Sequence, residues 1–192
     1  MDWDVDQQWE SDWWGKCLNT YGEETKQLVY AQKMGLERFH DGKSPYNFSV
    51  KGRVLDIGGG PTSILLKCPE VFGTVVDPCS YPKWVHDRYE LANIRYLKLA
   101  GEDIGYVDEF DEVWIYNCLQ HTQDPEKIIK NSFRAAPIIR IFEWVDTKIT
   151  MGHPHSFAKD VLDSWLGGNG KIETLNGEGT CRGKCYYGIF TR

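Results

Sequence analysis

The sequence predicts an α/β protein built on an open, mostly parallel seven-stranded sheet with helices on both faces. From Lys51 onward, short apolar strands alternate with helical segments, a pattern typical of a parallel sheet covered on both sides. The last two strands have no helix between them, which predicts an antiparallel C-terminal hairpin. An apolar strand also runs directly into three glycines, and ligands of such sheets bind where the strands end.

Composition narrows the class of protein. The 192 residues are 41% hydrophobic and 26% charged, which suits a soluble globular chain. The net charge is −6, and the absence of a Lys/Arg run disfavours nucleic acid as a partner. The N-terminus lacks a signal-peptide pattern, no apolar run could span a membrane, and the six scattered cysteines favour reduced thiols. We therefore expect a cytoplasmic protein, and the oligomeric state stays open.

Residues 1–50 are predicted to form an aromatic-rich helical extension, and residues 51–192 the ligand-binding domain. Trp9 and Trp13 are four residues apart, so a helix would place them on one face. Two interpretations remain open: the rings of this segment close the core, or they form a lid over a ligand. The lid residues would be Trp13, Trp14 and Tyr21, with Trp144 from the domain.

The remaining elements follow from local patterns. A second helix is expected from Gly22 to about Arg38, and a turn over His40–Ser49. Asp124-Pro125 is a typical helix start, and Ser156 is expected to cap the next helix. The predicted strands are Val54–Ile57, Phe72–Val76, Ile94–Leu99, Glu112–Tyr116, Ile138–Trp144, Lys171–Leu175 and Cys185–Phe190; the other predicted helices are Thr62–Lys67, Trp84–Ala92 and Ser156–Leu166.

The glycine turn predicts a nucleotide-type cofactor loop. Gly58, Gly59 and Gly60 leave the backbone bare, and a following helix would present amide groups and a positive dipole end to the ligand. Asp77 closes the next strand about 20 residues later, where a carboxylate can accept hydrogen bonds from ribose hydroxyls. This arrangement suits NAD and S-adenosylmethionine equally. The dinucleotide fingerprint is only partly present, because Ser63 stands at its last position.

Four motifs together resemble a known family. VLDIGGGPTS, VVDP, AGEDI and EVWIYNCLQHTQDPEKII are similar, in order and spacing, to the class I S-adenosylmethionine-dependent methyltransferases, most of all to the small type 11-like bacterial and phage members. The resemblance covers about Arg53 to Trp144. It implies a Rossmann-like sheet with strand order 3-2-1-4-5-7-6, S-adenosylmethionine as the cofactor and S-adenosylhomocysteine as the product.

The resemblance also implies roles for individual residues. Gly58–Gly60 and Asp56 would hold the methionine part of the cofactor, and Asp77 the ribose. The residues expected to flank the adenine are Glu102, Asp103 and Ile104. Asn117, Leu119 and His121 would line the end of the fourth strand, next to the methyl group. A capping or turn role is the alternative for each.

The acceptor and the base are less defined. The sulfonium methyl is already activated, so the protein has mainly to align a nucleophile and exclude water. The candidate catalytic residues are His121, Glu143, His153 and His155. The residues after the fourth strand differ from those of nucleobase amino-methyltransferases, and no Pro-Cys nucleophile follows that strand. We expect a small-molecule or glycan-type acceptor.

Three alternatives stay open. The chain could bind the cofactor without catalysis, as a sensor or scaffold, or it could be an NAD-dependent oxidoreductase. His153, His155, Cys181 and Cys185 could also bind zinc, although their spacing is not diagnostic. The main interpretation assigns no metal.

Overall fold

A computed structural model describes residues 3–39, 47–177 and 181–192. Its main feature is a seven-stranded sheet made of β1 (Gly52–Ile57), β2 (Val71–Asp77), β3 (Arg95–Lys98), β4 (Glu112–Tyr116), β5 (Ile138–Trp144), β6 (Lys171–Asn176) and β7 (Arg182–Thr191). The spatial order is β3-β2-β1-β4-β5-β7-β6. Strands β1 to β5 are parallel, and β7 is antiparallel to both β5 and β6. The predicted fold class and strand order are confirmed.

Two apolar layers cover the sheet because the strand side chains alternate between its faces. On β4, Val113 and Ile115 point to one layer, whereas Trp114 and Tyr116 point to the other. The first layer is completed by α4 (Pro125–Ala135) and α5 (Lys159–Leu166). The second contains residues of α2 (Thr20–Lys33) and α3 (Lys83–Leu91). Strands buried on both faces explain the continuous apolar runs in the sequence.

The segment after the glycine turn differs from the prediction. In place of one helix over Thr62–Lys67, two short 3-10 helices span Gly60–Thr62 and Ile64–Lys67. Ser63 separates them in an extended conformation, with φ −44° and ψ 139°. Its hydroxyl donates to Asp56 and accepts from the Leu65 amide, and these bonds keep the chain extended between the two 3-10 helices. The positive dipole end of an α-helix is therefore absent at this turn.

Two further boundaries are corrected. Ser156 does not cap α5, which begins at Lys159, because the Phe157 carbonyl accepts from the Asp146 amide and keeps the chain extended. In the predicted turn over His40–Ser49, Asn47–Phe48 pairs as a short strand with Arg38–Phe39, whereas residues 40–46 lie outside the described residues. Residues 178–180 of the glycine-rich connection before β7 also lie outside them.

Helix α1 (Trp3–Trp14) crosses the carboxyl ends of the parallel strands. The Gly152 amide, in the loop after β5, donates to Asp6 Oδ1 over 2.8 Å, and the Trp14 ring meets the Tyr81 ring, after β2, edge to face. The helix therefore contacts the loops that follow two strands of the sheet. Within the described residues, no helix is long and apolar enough to cross a membrane.

Candidate active site

A cavity of about 480 Å³ lies between α1 and the carboxyl ends of the strands. Its floor contains the glycine turn and the end of β2, and its roof contains four tryptophans of α1. The size lies within the roughly 300–1,000 Å³ that is usual for small-molecule sites. The cavity is therefore the place where the predicted ligand residues have to meet.

Two residues of the glycine turn have left-handed backbone conformations, and their amides bond to other groups of the protein. Gly58 and Gly60 have φ of +71° and +57°. The Gly58 amide donates to the Val76 carbonyl over 2.8 Å, and the Gly60 amide donates to Asp77 Oδ2 over 3.1 Å. A Cβ on Gly58 would lie 2.5 Å from that of Cys118. The turn thus gives a close backbone surface rather than a free set of amide donors.

Asp56 supports this turn from below and does not face the cavity. Its side chain is fully buried, and Oδ2 accepts from the Ser63 and Tyr116 hydroxyls. Oδ1 has no hydrogen-bond partner in the part of the chain that the structure describes. Burial raises the pKa of Asp56 to about 7, against the lowering effect of the two hydroxyls. The structure therefore gives Asp56 a positioning role rather than direct contact with a ligand.

Asp77 lies at the cavity wall, at the end of β2. Oδ1 accepts from the Cys79 amide over 2.9 Å and from the Tyr81 hydroxyl over 3.0 Å. Burial raises the pKa of Asp77 to about 6, although these donors oppose the shift. The carboxylate is thus held rigidly in place, with lone pairs left to accept from a ligand hydroxyl.

The AGEDI motif contributes only in part. Glu102 lines the cavity, but its Oε1 accepts from the Gln123 and Asp124 amides over 2.8 and 3.1 Å. The Asp103 side chain is 65% exposed and lies 3.9 Å from Lys127 Nζ, outside the cavity lining. Ile104 is buried in the apolar layer beside α4. We therefore retain Glu102 in the candidate site and leave out Asp103 and Ile104.

Glu143 holds the loop that follows β4. It is fully buried, and its Oε1 accepts from the Cys118 and Leu119 amides, each over 2.9 Å. Burial raises its pKa to about 7. This support keeps Asn117 at the cavity wall with φ +51°, whereas Leu119 is buried beneath it. Neither Glu143 nor Leu119 lines the cavity.

Two of the predicted histidines meet in the cavity. The His121 and His153 rings lie 4.4 Å apart between centroids, and burial lowers the pKa of each to about 4. His121 Nδ1 lies 2.6 Å from the Gly152 carbonyl, so it carries the ring proton, and Nε2 is the acceptor that faces Gln120 Nε2 at 3.3 Å. His155 Nε2 lies 2.8 Å from the Thr122 carbonyl and outside the lining. His121 and His153 are thus the pair that a ligand can reach.

The aromatic roof differs in part from the expected lid. The Trp13, Trp14 and Trp144 side chains line the cavity, whereas Tyr21 is 86% exposed and points away from it. Trp9 packs against Gly152, where a Cβ would overlap its ring. We therefore replace Tyr21 by Trp9 in the roof; Trp3 also lines the cavity.

Sequence reasoning missed several polar residues of the cavity, among them Glu10 and Gln27. Glu10 of α1 has Oε1 2.9 Å from Trp14 Nε1 and Oε2 3.5 Å from His121 Nδ1. Gln27 of α2 is 7% exposed; its amide nitrogen donates to Thr62 Oγ1 over 2.7 Å, and no group among the described residues donates to its Oε1. An unpartnered buried oxygen on a cavity wall indicates a ligand donor. The helical spacing of Glu10 and Trp14 was the one available sequence signal.

The residues proposed for zinc do not meet. His153 lies in the cavity, whereas Cys185 donates from Sγ to the Glu173 carbonyl on the neighbouring strand. Within the part of the chain that the structure describes, no three His, Cys, Asp or Glu side chains are grouped as metal ligands. All six cysteines lie among the described residues and are free thiols.

The comparisons with known proteins identify the class. Residues 55–136 match the family model described as a methyltransferase domain. A search of curated proteins finds no significant match. This match agrees with the prediction from the four motifs: residues 55–136 match a methyltransferase domain, and the sheet has the fold of the class I S-adenosylmethionine-dependent methyltransferases.

Solved structures with low sequence identity share this fold. One is 1,6-didemethyltoxoflavin-N1-methyltransferase of Burkholderia thailandensis with bound S-adenosylhomocysteine, at TM-score 0.61 and 12% identity over 98% of this chain and 84% of that one. Another is magnesium protoporphyrin IX methyltransferase of Synechocystis PCC 6803 with bound S-adenosylmethionine. It has TM-score 0.62 and 14% identity over 100% of this chain and 98% of that one. A third, a methyltransferase of Thermotoga maritima, has TM-score 0.59 and 14% identity over 98% of each chain.

Proposed function

We propose that the chain transfers a methyl group from S-adenosylmethionine to a small-molecule or glycan-type acceptor enclosed beneath α1. The observation that carries this proposal is the cavity itself, in which the glycine turn and Asp77 share one space with the tryptophans of α1. The roof tryptophans of α1 lie within residues 3–14, and the glycine turn and Asp77 lie beyond residue 57, yet they enclose the same volume. A cavity of about 480 Å³ favours a small acceptor or a single sugar ring over a macromolecule.

The cavity residues fit the cofactor. Asp77 would accept hydrogen bonds from the ribose hydroxyls, and the unpartnered Gln27 Oε1 would accept from the ammonium group of the methionine part. The bare turn Gly58–Gly60 would let the cofactor approach the backbone, with Glu102 and Asn117 on the adjoining walls. When bound, the cofactor supplies a methyl group that needs no further activation.

The protein would then orient the acceptor and exclude water. The tryptophan faces of α1 and Trp144 suit a flat heteroaromatic ring or the apolar face of a sugar. His121 and His153 stay neutral at neutral pH, since burial lowers the pKa of both to about 4. A neutral ring nitrogen can accept a hydrogen bond from an acceptor hydroxyl or N–H and orient its lone pair. The toxoflavin and protoporphyrin enzymes act on small molecules, which supports the same acceptor size here.

A methyl-transfer screen tests the proposal. The protein is incubated with methyl-labelled S-adenosylmethionine and a panel of phenols, heteroaromatic amines and monosaccharides, and the labelled products are separated. We expect transfer to at least one small acceptor. Trp9→Ala should reduce the rate at least about tenfold by loosening the roof, whereas Tyr21→Ala, at an exposed position outside it, should not change the rate. Bound cofactor without transfer to any acceptor would contradict catalysis and favour a non-catalytic binding protein.

A further inference from the structure

Glu10 is a carboxyl group held inside the cavity without a strong cationic partner. Its side chain is 18% exposed, and Oε1 accepts from Trp14 Nε1. The nearest basic atom is His121 Nδ1 at 3.5 Å, whose proton is directed to the Gly152 carbonyl at 2.6 Å. Among the described residues, no Lys or Arg lies within ion-pair distance of Glu10. A buried carboxylate without a cation is costly, so its position on a ligand cavity suggests that the ligand supplies the charge.

The carboxyl groups nearest to Glu10 make its immediate surroundings acidic. Asp77 faces it from the end of β2, and Glu23 from α2. The Glu23 charge is already offset by Lys26, whose Nζ lies 2.6 Å from Oε1. The other titratable groups close to Glu10 are neutral at pH 7 or lie on α1 itself: His121, His153, the Cys79 thiol, the Tyr81 hydroxyl and Asp6. Three further basic side chains line the cavity, but none lies within ion-pair distance of Glu10: Lys148, Arg182 and Lys184.

We propose that Glu10 is the counter-charge for the sulfonium of S-adenosylmethionine, so that α1 closes more tightly over this cofactor than over S-adenosylhomocysteine. The inference rests on the proposed function and goes beyond it, because it gives the roof a way to distinguish the charged methyl donor from the neutral product. The sulfonium is a fixed cation of the kind that Glu10 lacks within ion-pair distance among the described residues. Glu10 also lies on the same helix as the four roof tryptophans, so attraction to the cofactor holds the whole roof closed.

Methyl transfer removes this attraction. As the bond between sulfur and the methyl carbon breaks, its electron pair stays on sulfur and a bond forms between the methyl carbon and the acceptor. The acceptor's proton can pass to Glu10, whose negative charge has lost its partner. Sulfonium, neutral acceptor and carboxylate thus give thioether, methylated acceptor and carboxylic acid, with charge conserved. Burial raises the pKa of Glu10 to about 7, which suits a group that alternates between these two forms.

Calorimetric titration tests the proposal without an acceptor. The ligands are S-adenosylmethionine, its amine analogue sinefungin, which is cationic at the same position, and the neutral S-adenosylhomocysteine. At pH 8 the wild-type protein should bind the two cationic ligands about tenfold more tightly than the neutral one. Glu10→Gln should abolish this preference, so that the cationic and neutral ligands bind with about the same affinity. The glutamine oxygen can still accept from Trp14. Asp12→Asn, which removes an exposed charge from the same helix, should keep the preference.

A second measurement uses the wild-type protein alone. At pH 5.5, where Glu10 is protonated, the preference for the cationic ligands should shrink toward that of Glu10→Gln. An equal preference in wild type and Glu10→Gln at pH 8, or a wild-type preference unchanged between pH 5.5 and 8, would overturn the inference alone. Failure of all three ligands to bind the wild-type protein would overturn the proposed function as well.

Discussion

Buried carboxyl groups dominate the chemistry of this molecule at the residue scale. Asp56, Asp77 and Glu143 are each the last or the next-to-last residue of a parallel strand, and burial raises the pKa of each. Only Asp77 reaches the cavity; the other two hold the turns on which the cavity is built. A strand-end position therefore predicts a carboxyl near the site but does not tell whether it contacts the ligand or supports a loop.

Glu143→Gln tests the supporting role. The folded protein keeps Glu143 protonated up to about pH 7, whereas the unfolded chain ionises near 4.5, so ionisation destabilises the fold as the pH rises through this range. The glutamine oxygen can still accept from the Cys118 and Leu119 amides. Between pH 4.5 and pH 8, the unfolding free energy of the wild-type protein should fall by about 2–3 kcal/mol more than that of Glu143→Gln. Urea titration followed by tryptophan fluorescence measures this; an equal difference between the two proteins at both pH values would contradict it.

The sequence-based prediction of site residues was limited by long-range contacts. The carboxylate of Asp77 was predictable because strand ends share one edge of a parallel sheet. Glu10 was not, since it looks like an ordinary surface acid of a polar helix until α1 is folded back over the cavity. Gln27 was missed for the same reason: nothing local links it to Thr62, 35 residues later.

At the scale of elements, α1 is the part whose placement decides the site. It is held by the Asp6 contact to the Gly152 amide, the packing of Trp9 on Gly152 and the contact of Trp14 with Tyr81. The sequence indicated a helix with tryptophans on one face, but not which loops it would touch. The cap of α4 shows the opposite case, because Asp124 accepts from the Lys127 amide three residues away and was predictable locally.

Gly152→Ala tests the attachment of α1. Gly152 has φ +78°, and a Cβ there would overlap the Trp9 ring. The strain of a non-glycine residue in this conformation is on the order of 1–2 kcal/mol, and the displaced ring adds to it. Backbone amides of Trp3–Trp14 should therefore exchange with deuterium at least about tenfold faster, as measured by mass spectrometry.

Gly105→Ala is the matched control, because no atom lies within 4 Å of the Cβ it would add. It should leave exchange in α1 unchanged. Equal exchange in α1 for both variants would show that Gly152 does not hold the helix.

At the scale of the whole molecule, the order of the seven strands was predicted by the resemblance that the four motifs carry. The alternation of short apolar strands and helices specified a parallel sheet, and the final strand pair without a helix specified the antiparallel edge. What could not be predicted is the closed cavity, because it depends on the first 14 residues packing against loops more than 60 residues away. The fold could thus be predicted from local sequence patterns, whereas the site could not, because it is formed by contacts between segments that are distant in the sequence.

The most direct test of the account is calorimetric titration with S-adenosylhomocysteine and NAD. The wild-type protein should bind S-adenosylhomocysteine with micromolar affinity and should not bind NAD. Asp77→Asn should weaken the first interaction by about 1–3 kcal/mol, because the amide can no longer serve both ribose hydroxyls as a charged acceptor. Binding of NAD without S-adenosylhomocysteine would contradict the account and make the glycine turn a dinucleotide site.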